Sequence, residues 1–210
     1  MHMSKLFIFG DSFSCRFNNT FFDDYTKWKG YVPKYFGDII SNELAIHHHN
    51  YAKLGSDNYT IFESICNNIT KVKPNDMMII GWTSRNRFRI VDTNNLNWKM
   101  VTMNSSNTDN TISKQSIDEL FLNRSSVLYA YEVNSWIHLL NSLLPNTKII
   151  NWCWSEYEKE INALNLPNME TIGYETNGEL KDMHYNELGH LQLSDVFLKE
   201  LQKNKINKFV

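Results

Sequence analysis

The chain has 210 residues, a formal charge of −2, and is 42% hydrophobic and 13% aromatic. That is ample apolar material for one sizeable core, so a single domain over 1–210 is the default. The near-neutral balance, with a sequence pI of about 6.4, lacks the basic surplus that nucleic acid or an anionic membrane calls for, and small or neutral ligands fit better.

Three cysteines, Cys15, Cys66 and Cys153, stand far apart with no CxxC pair. This argues against a disulfide framework or a zinc knuckle and for reduced thiols in a cytoplasm-like setting. The start, "MHMSKLFIFGD", has too short an apolar run for a secretory h-region, and no window approaches the roughly 18 apolar residues of a membrane span. A protein made without a Sec signal is expected, with assembly into a larger particle or release by lysis left open.

Along the chain, short apolar runs alternate with stretches of helical period, the signature of βαβ units and a parallel sheet. The first strand is predicted at Lys5 to Phe9, a helix within Gly30 to Ala45, and a second short strand around Ile46 to Tyr51. Ile61, Ile65 and Ile69 share one helical face from Asn58 onward. "DMMIIGWTS" predicts a third strand, Met77 to Ile80, ending at Gly81. Residues 85–128, rich in Asn, Ser and Thr, are longer than a normal connection and are expected to form a polar insertion over one end of the sheet. A strong helix from Val127 stops at Pro145, a fourth strand spans Thr147 to Trp154, a fifth lies near Asn168 to Ile172, and "NELGHLQLSDVFLKELQKN" predicts a final amphipathic helix. The expected architecture is an α/β three-layer sandwich with a flavodoxin-like parallel sheet of about five strands, for which ligands bind beyond the carboxyl ends of the strands.

Ser12, Gly55, Thr83, Ser84 and the loop before the last helix would all project at that rim. A serine nucleophile needs a base, and the base needs a partner that holds its tautomer. In chain order, Ser12, Asp182 and His184 supply those roles. An α-helix would point positions 182 and 184 apart, so they require a non-helical segment.

Four blocks in order resemble the SGNH (GDSL-like) hydrolase family: "FGDSFS" with Ser12 as nucleophile, "YAKLGSDN" with Gly55, "GWTS" with Thr83 and Ser84, and "KDMHYNELGH" with His184 as base. The resemblance spans nearly the whole chain apart from the insertion. It implies a flavodoxin-like esterase fold, an oxyanion site made by the N–H groups of Ser12 and Gly55 with Thr83 or Ser84, and an acyl-enzyme mechanism with no metal or organic cofactor. The expected substrate is a short-chain, acetyl-type ester on a carbohydrate or similar polar acceptor, preferred over a long-chain lipid because the insertion is polar; a non-catalytic module that binds a glycan or a protein partner and a lipid-directed hydrolase are the alternatives. The third block of the family usually reads Gly-x-Asn-Asp, so Thr83 stands where an asparagine donor is expected, with Asn86 as a stand-in. The family's acid lies three residues before the histidine, which is Lys181 here. Asp182 either pairs with His184 or leaves a Ser-His dyad oriented by a backbone carbonyl.

Asp11, Trp82 and Arg85 are further candidates for substrate contact at the rim. Arg85, Arg87 and Arg89 alternate and are placed to hold an anionic group or to sit on an exposed strand. Asn186 is expected to cap the last helix and His190 to stand behind the site. The run His47-His48-His49 cannot share one ion easily on a strand, where neighbours point to opposite faces.

Overall fold

The structure, a computed structural model, describes residues 4–91, 98–102, 119, 126–156 and 158–203. Five strands form the main sheet: β1 (Lys5–Phe9), β2 (His47–Asn50), β3 (Met77–Trp82), β6 (Lys148–Cys153) and β7 (Leu164–Asn165). They are ordered β2-β1-β3-β6-β7 and every pairing is parallel. This is an α/β fold whose strand order is compatible with a three-layer, flavodoxin-like arrangement.

Because side chains alternate across a strand, β1 feeds two cores. Leu6 and Ile8 pack with Ile79, Ile150 and Trp152 beneath α2 (Phe36–Leu44) and the last helix, α6 (Glu187–Lys203), through Phe36, Ile40, Leu193 and Phe197. Phe7 and Phe9 pack on the opposite face with Met78, Ile80 and Trp82 beneath α3 (Asn58–Asn68) and α4 (Ser126–Leu143), through Ile61, Ile65, Tyr129, Val133 and Ile137. The near-continuous apolar runs of β1 and β3 are what a strand covered on both faces requires.

Three expectations shift. The stretch Gly30 to Ala45 is helical only from Phe36; Gly30 instead closes a separate helix, α1 (Asp23–Lys29), in the left-handed region at φ 75. The strand expected to stop before Gly81 runs on to Trp82. The fifth strand lies at Leu164–Asn165, not Asn168 to Ile172, because Thr171 caps a short helix, α5 (Ile172–Glu175), by accepting the Tyr174 N–H.

Of the expected insertion, the described part includes an antiparallel strand pair, β4 (Arg87–Val91) with β5 (Trp98–Thr102), in a sheet of its own; 92–97, 103–118 and 120–125 lie outside the described residues. No helix among the described residues is long and apolar enough to cross a membrane.

Candidate active site

β1 ends at Phe9, and the chain turns at once. Gly10 is required there because a Cβ would stand 2.3 Å from Ser14 Oγ. Asp11 then caps a single 3₁₀ turn, Ser12–Ser14, its Oδ1 accepting the Phe13 N–H at 3.0 Å. Ser12 heads that turn with its own N–H carrying no partner among the described residues.

Residues 181–186 run alongside 170–173. Gly173 N–H donates to Asp182 O at 2.7 Å, Ile172 N–H to His184 O at 2.9 Å, and Asn186 N–H to Glu170 O at 2.9 Å. The chain bends at His184, and the Asx-type turn in which the Asp182 carboxylate accepts the N–H two residues on is how Asp182 reaches its neighbour. Asp182 Oδ1 lies 2.6 Å from His184 Nδ1 and also accepts the His184 N–H at 2.8 Å. With a carboxylate at Nδ1, that nitrogen carries the proton and Nε2 is left to accept. Ser12 Oγ lies 2.7 Å from Nε2, across 172 positions of sequence. Burial works to raise the Asp182 carboxyl, but the side-chain and backbone hydrogen bonds from His184 bring it below the ordinary carboxylate value.

Aromatic rings fix the imidazole from several sides: Phe13 at 4.6 Å between centroids, Phe21 at 5.1 Å and Phe22 at 5.6 Å. Behind it, a hydrogen-bonded network ties α1 to the approach to α6. Tyr25 and Lys29 donate to Glu175, Tyr31 donates to Glu187, and Tyr25 Oη accepts the Glu187 N–H. Asn186 caps α6 as expected, accepting the Gly189 N–H at 2.8 Å.

Gly55 stands half-buried in the left-handed region at φ 67, which favours glycine, and its N–H too has no partner among the described residues. Its loop follows β2, which is paired with β1, and is tied to the Ser12 turn by Lys53 N–H donating to Gly10 O at 3.1 Å and Asn50 Nδ2 donating to Ser14 O at 2.8 Å.

The remaining candidates are placed differently from the sequence reading. Asp11 is fully buried, so it cannot meet a substrate; its Oδ2 accepts from Thr83 Oγ1 at 2.7 Å, Trp154 Nε1 at 2.8 Å and Arg87 Nη1 at 2.9 Å. Thr83 thereby commits its hydroxyl to Asp11, and its N–H donates to Asn58 Oδ1 at 2.8 Å, leaving it no donor for an oxyanion. Ser84 donates to Glu158 Oε1 at 3.1 Å. Trp82 is fully buried with its indole N–H on Asn151 at 2.9 Å, so it forms no wall of the rim. Arg85 is half-buried and its N–H donates to Glu158 at 2.9 Å. Arg87 and Arg89 bind within the protein, Arg89 bridging Asp57 at 3.1 Å and Glu63 at 3.1 Å. Asn86 is half-buried, and its carboxamide has no partner among the described residues.

Glu158 was not anticipated. Burial raises its carboxyl above the ordinary value, against the pull of the Arg85 N–H and the Ser84 hydroxyl. Neither it nor Trp154 carries a local sequence signal, since both act through partners more than 70 positions away. His190 is sealed behind the site among Phe17, Phe36, Tyr35 and Tyr185, and burial pushes its pKa down to about 3. The histidines of β2 diverge as expected, with His47 and His49 exposed and His48 half-buried; among the described residues no group of three or more His, Cys, Asp or Glu is placed to hold a metal.

The geometry defines a hydroxyl, an imidazole acceptor and a carboxylate in one hydrogen-bonded line at the carboxyl rim of a parallel α/β sheet. Comparison with family models, with curated proteins and with solved structures finds no match to this chain.

Proposed function

We propose that the protein is a serine esterase of the SGNH type that removes a short acyl group, of the acetyl class, from a hydroxyl of a polar acceptor such as a carbohydrate. The observation that carries this reading is the line Ser12 Oγ to His184 Nε2 at 2.7 Å and His184 Nδ1 to Asp182 Oδ1 at 2.6 Å. Ser12 Oγ attacks the ester carbonyl as its proton passes to His184 Nε2, and Asp182 stabilises the imidazolium that forms. The developing oxyanion is received by the N–H groups of Ser12 and Gly55. His184 then protonates the departing alkoxide, and water, deprotonated by the same nitrogen, releases the acid and restores the serine. With Thr83 and Ser84 committed elsewhere, Asn86 is the side chain assigned the third donor role.

The test compares wild type with Ser12→Ala on an activated acetate ester, together with labelling by a fluorophosphonate. Loss of about 10⁶ in kcat is expected, and wild-type labelling should vanish in the variant. Equal hydrolysis by both proteins removes the proposal. Phe21, half exposed against His184, and Met183, exposed between Asp182 and His184, favour an apolar leaving group or acyl tail as a second reading. A series of acyl lengths separates the two, the long-chain reading requiring a rise in kcat/KM beyond about eight carbons, where each buried methylene contributes about 0.8 kcal/mol.

A further inference from the structure

Beside the nucleophile's turn lies an open cleft of about 190 Å³ lined by Cys15, Arg16, Asn18, Asn19, Asn50 and Ala52. One side is the segment that runs from the Ser12 turn through Asn19 to Phe21, the other the segment that leads on to Gly55. The same two segments that present the free N–H groups of Ser12 and Gly55 build its walls, joined by the Asn50 carboxamide on Ser14 O. Among the lining residues Arg16 is the one charge, and the other polar side chains are three carboxamides.

Arg16 is held in place chiefly by a neutral partner. Its Nη2 lies 2.5 Å from His48 Nε2. A guanidinium can only donate, so His48 accepts there and carries its proton on Nδ1, 2.8 Å from Ser41 Oγ. Burial, and next the Arg16 charge, lower the His48 pKa, against the pull of Asp38 at 3.5 Å. The carboxylate of Asp38 stands 4.0 Å off, with 39% of its side chain exposed, a weak and screened pair. Arg16 Nε is buried with no hydrogen-bond partner among the described residues, although 41% of the side chain is open to solvent. A guanidinium positioned by an imidazole and by the Tyr35 ring at 5.5 Å, with its carboxylate partner distant and screened, in a cleft otherwise lined by carboxamides, can receive a planar anion.

We infer that the cleft takes a carboxylate carried by the ester substrate, with Arg16 as its charge partner and Asn18, Asn19 and Asn50 as the neutral polar lining. This rests on the esterase reading for the identity of the substrate, but not for the binding itself. The carboxylate can sit on the acyl group, as in a half-ester of a dicarboxylic acid, or on the acceptor, as in an acylated uronate; the chemistry recognised is the same.

Two arms distinguish these sources. In the first, kcat/KM for 4-nitrophenyl hydrogen succinate is divided by that for 4-nitrophenyl acetate. In the second, an O-acetylated methyl glucuronide is divided by the matching O-acetylated methyl glucoside. At least one ratio is expected to exceed about ten in wild type, to fall about tenfold in Arg16→Gln, and to recover in part in Arg16→Lys, as for one charge-assisted contact. Each ratio is taken within one protein, so a partly unfolded variant lowers both rates and leaves it unchanged. Ratios near one in wild type, or a ratio indifferent to Arg16→Gln, overturn the inference.

A third measurement needs no turnover: titration of Ser12→Ala with sodium succinate and with sodium glucuronate by calorimetry. Saturable binding that weakens about tenfold when Arg16→Gln is added, and that weakens with rising salt, supports the cleft even if the esterase reading has failed. No saturable binding of either anion overturns it even if esterase activity is present.

Discussion

Three hydroxyls stand at one rim of this sheet, and each donates to a side-chain acceptor. Ser12 faces the imidazole of His184, Thr83 the carboxylate of Asp11, and Ser84 the carboxylate of Glu158. The difference lies in the acceptor. An imidazole, with an ordinary pKa near 6.5, is a stronger base than a carboxylate near 4, and the Asp11 carboxylate already serves four donors: Phe13 N–H, Thr83, Trp154 and Arg87. A hydroxyl on such a carboxylate is a rivet, whereas one on an imidazole nitrogen that accepts from it alone has a base to which its proton can pass. The two imidazoles of the last block differ in the same way. His184 reaches a hydroxyl and a carboxylate; His190, six positions on, is enclosed by rings and its Nδ1 has no partner among the described residues.

The sharpest way to break this comparison is to delete each hydroxyl in turn and follow an activated acetate ester. Ser12→Ala should lose about 10⁶ in kcat. Thr83→Val should lose less than about tenfold, because removal of a true oxyanion donor costs about 10² to 10³; a loss of that size in a folded variant would move the Thr83 hydroxyl into the oxyanion site. Next in size, Asp182→Asn should lower kcat about 10⁴-fold through loss of the tautomer, whereas a dyad held by a backbone carbonyl would lose little.

On the structural side, Asp11→Ala should cost about 3–5 kcal/mol in chemical denaturation, since it leaves Arg87 partly buried and unpaired. A change under about 1 kcal/mol would show that the rivet is not holding. The most gradual effect concerns His190. Its folded pKa is depressed to about 3, so the unfolded chain takes up the proton first as pH falls through about 6.5. Stability is therefore full above that pH and declines toward pH 3, by about 1.4 kcal/mol per unit. His190→Leu should flatten that part of the stability profile, while His48, depressed in the same direction, leaves a residual slope.

Much of this was legible in the chain. Strands β1, β3 and β6 are apolar runs that a doubly covered sheet demands, and the helices on them carry their period openly. β7 was misplaced because two residues at the edge of a sheet carry no alternation, while the Ile172 that attracted the assignment begins a capped helical turn. At the rim, Ser12, Asp182 and His184 could be picked out by order and spacing. The fate of Asp11, Trp82, Thr83 and Ser84 could not, because it is decided by Arg87, Asn151, Trp154 and Glu158, whose approach depends on tertiary packing. A polar residue after a strand looks the same whether it will meet substrate or a buried partner.

The span of 172 positions between the Ser12 hydroxyl and the imidazole it meets also orders events during synthesis. A growing polypeptide emerges amino end first, so the Ser12 turn appears early, with no imidazole to activate it. Residue 184 can arrive only after the 170–186 stretch, which holds it through the Ile172 N–H, has been made and packed. Any nucleophilic chemistry proposed for this rim is thereby withheld from the early nascent chain.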